Sequence, residues 1–236
     1  MTLKTVCTRA LEELSGFEIP STFYDNQNLT ARTCVALVTR QGRTLEMQQR
    51  WSSLLSTYTF STVADQAAYD LPSDWRAFGN VSQWNRSSHR QMIGPSSAFE
   101  WQWLKGWIGA SATIDVWFRI EGTQMILHPT PTSVQTMAFD YYSKNWITKV
   151  SDSTTATEFT HDNDTSKLDE DLLILGLKWR FLQSKGMPFE PEYREYEAML
   201  EEATADAGGK RSIKLGLREI KWDGLPDTGY GTDSQP

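Results

Sequence analysis

Cysteine and histidine are scarce in this 236-residue chain, with two copies of the first and three of the second. Cys7 and Cys34 make neither a CxxC pair nor a disulfide framework. Both fall in helix-like segments and are expected as buried, reduced, inert thiols. His89, His128 and His161 have no partner at HxxxH or HxH spacing, which leaves no histidine signature of a metal centre. GxSxG, P-loop and GxGxxG patterns are also missing, so the common hydrolase and nucleotide-binding fingerprints are excluded. No run approaches the ~18 consecutive apolar residues that cross a membrane. The opening MTLKTVCTRALEELSG lacks the apolar core of a signal peptide. A soluble protein in a reducing, cytoplasm-like compartment is expected, with no membrane partner. Positive charge is in deficit too. Lys and Arg number 23 against 30 Asp and Glu, and the net charge of −7 argues against wholesale attraction to nucleic acid.

What the chain does have is aromatic bulk. Ten Trp and 12% aromatics suit large buried contacts and interfaces, and 39% hydrophobic residues suffice for one sizeable core or two small ones. Leu3, Val6, Cys7, Ala10 and Leu14 recur at helical spacing until Gly16. Thr30 is expected to cap a second helix carrying Cys34, Leu37 and Val38, with Gly42 as a kink or stop. A third helical run is expected through Met47, Trp51, Leu54 and Leu55.

The period then changes. TYTFSTV, AAYDL and AFGNVSQW read as strands between turn residues. PSSAFEWQWLKGW reads as a short helix, and ATIDVWFRI, EGT and QMILHPTP as a hairpin. VQTMAFDYYS is the next strand, with Val134, Met137, Phe139 and Tyr141 towards a core. After the polar SDSTTATEFTHDNDTSK, two helices are strongly signalled. Leu168, Leu172, Leu175, Trp179 and Leu182 form one stripe, with Ser166 as its expected N-cap. Tyr193, Tyr196 and Leu200 form the facing stripe of an antiparallel hairpin.

The predicted fold class is therefore α+β. Residues 1–57 form an N-terminal helical part and 58–150 an inserted antiparallel β-rich domain. A polar loop covers 151–167, a helical hairpin packing with the N-terminal helices covers 168–208, and an extended arm covers 209–236. That arm is distinctive. Residues 210–222 hold five Lys or Arg against one Glu, while 223–236 hold three Asp, so an acidic body of net −8 precedes a basic segment. Its cations are Lys210, Arg211, Lys214, Arg218 and Lys221. Interleaved with them are Ile213, Leu215, Leu217, Ile220 and Trp222. A pure phosphate binder has no need of those apolar residues, whereas a peptide seated in a protein groove does.

Candidate chemistry is thin. Asp162, Asp164 and Ser166 match the first three positions of a calcium loop. Lys167 and Leu173 then stand where glycine and glutamate belong, so a cap and dipole cluster is the expected role. Glu100, Asp115 and Asp140 sit among aromatics, as carboxylates of a sugar-cleaving cleft do. Trp101, Trp103 and Trp107 offer a sugar-stacking platform. A carbohydrate-binding or cell-wall-degrading protein is the alternative these residues keep open. In YDLPSDW, Leu71-Pro72 stiffens the chain, Ser73-Asp74 turns it, and Trp75 restarts a strand. Leu71, Pro72, Asp74 and Trp75 read as a structural corner.

The order of these pieces carries a resemblance. GRTLEMQQRWSSLLSTYTFST, AAYDLPSDWRAF, MILHPTP, AFDYYS and the hairpin LDEDLLILGLKWRFLQSKGMPFEPEYREYEAML follow one another between residues 29 and 208. This succession resembles the head-to-tail adaptor (connector, tail tubular A-type) proteins of short-tailed bacteriophages. The resemblance implies a non-enzymatic structural virion protein without cofactors, assembled in the host cytoplasm and placed in the neck. It implies a homo-oligomeric ring of twelve copies beneath the portal protein ring, contacting tail or nozzle proteins. Such a ring lets double-stranded DNA pass without sequence-specific binding, and a C-terminal arm clasps the portal. For this chain the arm would be 210–222.

Overall fold

Thr2 begins the first helix: its hydroxyl accepts from the Thr5 amide, and α1 runs Leu3–Glu13 with Leu3, Val6, Cys7, Ala10 and Leu11 buried. The computed structural model describes residues 1–106 and 115–207. Asn28, rather than Thr30, caps α2 (Leu29–Gln48), its side-chain oxygen accepting from the Thr30 amide at 2.8 Å. Asn is the stronger cap, and from one residue before the helix it reaches the orphan amide directly.

α2 continues through Gly42 without a break. A Cβ at that position would lie 2.2 Å from the Trp146 ring, so the glycine is a packing notch rather than a stop. The expected third helix is absent. A single 3-10 turn, Ser52–Leu54, hands the chain to a strand, leaving Met47 exposed on the last turn of α2.

The β-rich part begins with β1 (Leu55–Ser61), β2 (Ala68–Asp70), β3 (Trp75–Phe78), β4 (Trp84–Asn85) and β5 (Arg90–Gln91). After α3 (Ala98–Gly106) come β6 (Trp117–Glu121), β7 (Gln124–His128) and β8 (Thr136–Ser143). The strand expected over ATIDVWFRI begins at Trp117; residues 112–114 lie outside those described. β8 is the spine of a five-stranded antiparallel sheet, paired with β1 along its length and with β3 and β4 on its other edge. Met137, Phe139 and Tyr141 alternate from it into a core shared with Phe118, Met125 and Leu127 of the second sheet, β2-β7-β6. Val134 does not join them; it precedes the strand and is 72% exposed.

The polar stretch 151–167 is more ordered than its composition suggests. It contains β10 (Thr155–Ala156) and β11 (Thr165–Ser166), which flank β9 (Ile147–Thr148) in a third small sheet. The chain closes its described part with α4 (Glu170–Ser184) and α5 (Glu190–Ala207). Asp169, not Ser166, is the N-cap of α4, accepting from the Leu172 amide; the Ser166 hydroxyl takes the Leu168 amide instead. α4 is apolar almost all round and sits centrally, touching α1, α2 and α5. Leu168, Leu172, Leu175, Trp179, Leu182 and Tyr196 are buried, and Tyr193 and Leu200 pack against the same helical core. Trp146 and Ile147 belong to this core too, while the sheets enclose the other, so the molecule is α+β with two hydrophobic cores.

Candidate functional site

The YDLPSDW corner packs on the sheet core, with Tyr69 and Leu71 buried in it and Trp75 against it. Leu71 is buried and donates its amide to the Thr123 carbonyl, joining the corner to the β6–β7 turn. The Pro72 carbonyl accepts from the Trp75 amide at 2.9 Å, which closes the turn. The Asp74 carboxylate accepts from the Tyr141 and Ser143 hydroxyls at 3.0 and 2.7 Å, and its carbonyl accepts from Lys144. Burial, with Asp74 beside it, pushes the Tyr141 phenol up to about 12. Trp75 stacks edge-on against Phe78. The corner thereby pins the end of β8 and fixes where β3 starts.

The next residue does what the sequence reading did not anticipate. Arg76 reaches from β3 into the C-terminal end of α2. It donates to the Glu46 carboxylate at 2.7 Å and to the backbone carbonyls of Glu46 and Met47. Those carbonyls are orphaned by the end of the helix, and a cation there also complements the helix dipole. Burial raises the pKa of Glu46, and Arg76 opposes that rise. The sheet part is thus bonded to the helical part through one guanidinium. The only sequence signal for it is an arginine inside an otherwise aromatic strand.

The acidic pair of the calcium-like loop is committed to backbone. Asp162 accepts from the amides of Phe23 and Tyr24. Asp164 is fully buried and accepts from the amides of Val150, Thr160 and His161 and from the Thr160 hydroxyl. Burial works against its ionisation, but these donors outweigh burial and hold its pKa below the ordinary value. Among the described residues no group of three His, Cys, Asp or Glu is placed to hold a metal.

The three carboxylates weighed for sugar cleavage have separate partners. Glu100 and Ser97 form a reciprocal capping box at the start of α3. Asp115 pairs with Arg90, and Asp140 accepts from the Thr57 hydroxyl at 2.6 Å. Trp101 is buried against His128 and covered by Lys105 and Arg119, so it cannot offer its face to a sugar. Trp103 is partly exposed, and Trp107 lies outside the described residues. Cys7 and Cys34 are buried free thiols, and burial pushes Cys34 up to about 12.

The residues 210–222, expected to bind a portal, also lie outside the described residues. Their point of departure is defined. The last turns of α5 sit beside the segment leading into β1, where Gln49 donates to the Thr204 carbonyl.

The chain matches the family model described as SU10 adaptor protein over residues 1–218. The chain belongs to the SU10 adaptor protein family. This is a phage adaptor family, and its members are structural proteins of the virion that work by contact with portal and tail components. The match is wider than the 29–208 that carries the resemblance. It takes in α1 and runs through Lys210, Arg211, Ile213, Lys214, Leu215 and Leu217 to Arg218 in the arm. No curated protein matches the chain.

Proposed function

We propose that this SU10-family adaptor forms a ring, of twelve copies, between the portal and the tail of a short-tailed phage. It has no enzymatic role there. The ring extends the DNA channel, helps to retain the packaged genome and gives the tail its attachment platform. The arm, through Lys210, Arg211, Ile213, Lys214, Leu215, Leu217, Arg218, Ile220, Lys221 and Trp222, clasps the portal.

The observation that carries this reading is the family match over 1–218, which includes most of the basic segment. Two physical features support it. The body is acidic, and like charge keeps double-stranded DNA from adhering to a channel wall as it passes. The Arg76 bond ties the sheet part to the helical bundle, as a part transmitting load between portal and tail requires.

Mass photometry of the full chain, alone and mixed with a portal ring, tests the reading. The expected result is a complex of defined stoichiometry that is lost when residues 210–236 are deleted. Undiminished docking of the deleted protein refutes the arm's role. A chain that never joins a portal ring refutes the adaptor placement.

A further inference from the structure

The outward face of α2 carries Arg32, Ala36, Arg40, Arg43 and Met47, all exposed and spaced along one side of the helix. At about 100° per residue, Ala36 and Met47 run down the middle, Arg32 and Arg43 on one flank and Arg40 on the other. Arg43 pairs with Glu158, while the side chains of Arg32 and Arg40 make no ion pair among the described residues. Beside this face a groove of about 740 Å³ opens between α2 and the loop 23–27. An apolar-centred, arginine-flanked helix face is unexpected in a chain of net charge −7.

α5 presents the counterpart. Ala198 and Ala205 run down the middle of its exposed face with Arg194 beside them at its N-terminal end, and Glu197 and Glu201 lie on one flank and Glu195 and Glu202 on the other. Arg194 is its one base. Small residues in the centre allow close approach of another helix. The lengths match: Arg32 to Arg43 and Glu190 to Glu202 each cover about 16–18 Å of helix.

One chain cannot join its own two faces. α5 packs on α4, and α4 meets the opposite side of α2, where Arg180 donates to Gln41. Both faces point out of the bundle.

We propose that α5 of one copy lies along the outer face of α2 of the next. Its alanines pack on Ala36 and Met47, and its glutamates meet Arg32, Arg40 and Arg43. Each copy uses both faces once, so the contact is head-to-tail and closes into a ring when the rotation between copies allows. The inference rests on the adaptor reading and names the self-contact within it.

Disulfide trapping in the full chain tests it, since trapping also captures contacts too weak to survive dilution. Chains carrying Ala36→Cys and Ala198→Cys are mixed and oxidised; the native thiols are buried. The mixed dimer is expected to exceed either self-dimer by at least about tenfold, as a heterologous contact requires. Adding Arg32→Glu and Arg40→Glu to the first chain should abolish the mixed dimer. Adding Glu195→Lys and Glu201→Lys to the second should restore it. Equal yields of mixed and self dimers overturn the proposal, as does charge reversal without effect. Circular dichroism of each variant verifies that it is folded, with Arg→Gln and Glu→Gln replacements as gentler substitutes. Portal binding is measured separately. A chain that joins the portal yet traps without preference keeps the adaptor role and loses this interface. A chain that traps as expected yet ignores the portal keeps the interface and loses the portal reading.

Discussion

The guanidinium of Arg76, carried by β3, meets the buried carboxylate of Glu46 in α2 at 2.7 Å. The same side chain also holds the last carbonyls of that helix. One residue therefore satisfies a buried charge, terminates a twenty-residue helix and bonds one hydrophobic core to the other. The preceding corner explains how it gets there. Asp74 fixes the turn against Tyr141 and Ser143, and two residues later the strand delivers Arg76 to the helix end.

Arg76→Ala should therefore cost about 2–4 kcal/mol in a urea unfolding titration, because it leaves a mostly buried carboxylate unpaired and helix carbonyls bare. Arg76→Lys should recover less than half of that, since one ammonium cannot serve the carboxylate and two carbonyls in the same plane. Glu46→Gln should cost about 1 kcal/mol or less, because the amide oxygen still accepts from Arg76 and no charge remains buried. An Arg76→Ala variant as stable as the parent would show that the two cores do not depend on this bond.

A second prediction concerns Gly42. Alanine favours a helix interior by ~1 kcal/mol over glycine, so Gly42→Ala should stabilise α2 if local propensity decided the outcome. Here the added Cβ would meet the Trp146 ring at 2.2 to 2.6 Å, and that ring is fully buried. A net loss of about 1–3 kcal/mol is expected, as for other overpacked cores. Gly106→Ala, which meets nothing within 4 Å, is the control and should be close to neutral. Thermal melts of both variants decide the matter.

Elements built from large apolar residues at regular spacing were legible in the sequence. The helical hairpin showed itself because Leu168, Leu172, Leu175, Trp179 and Leu182 recur at steps of three and four. β8 showed itself by alternation, and the corner by Leu71-Pro72 followed by Ser73-Asp74. What stayed hidden depends on partners distant in sequence. Gly42 reads as a break until Trp146, about a hundred residues away, is seen to fill the notch. The small strands β10 and β11 carry no apolar pattern because a buried carboxylate, rather than packing, gathers their segment. Arg76 carries no pattern that points to a distant partner. Its role needs the end of α2 nearby, and only the tertiary fold supplies that.

The thiols give a third prediction. Cys7 and Cys34 are fully buried, and burial raises both pKa values, that of Cys34 to about 12. A thiolate is the reactive form, so neither side chain should react with a thiol-specific disulfide reagent in the folded protein. Both should react within minutes in denaturant, where thiols return to a pKa of about 8.5. Fast labelling of the native chain would contradict the packing of α1 and α2 around them.

The last prediction turns on Asp164, the buried acceptor that organises the segment before α4. Its carboxylate takes three backbone amides and one hydroxyl, at 2.6 to 3.0 Å. Asparagine at this position keeps one acceptor oxygen and turns an amide NH2, itself a donor, towards donors that need an acceptor. Asp164→Asn should cost about 3 kcal/mol, the scale of losing hydrogen bonds to a buried charge. The pH dependence separates this account from mere loss of packing. The carboxyl titrates below its ordinary 3.8 in the folded chain. A group whose pKa is depressed on folding contributes stability above its unfolded value, and that contribution is lost as pH falls through the folded value. The parent protein should therefore lose stability steeply as pH falls below about 4, and Asp164→Asn should lack that part of the decline. Urea midpoints of the two proteins across acid pH test it. Parallel curves would mean that Asp164 is protonated in the fold, and that its amide donors do not hold a charge.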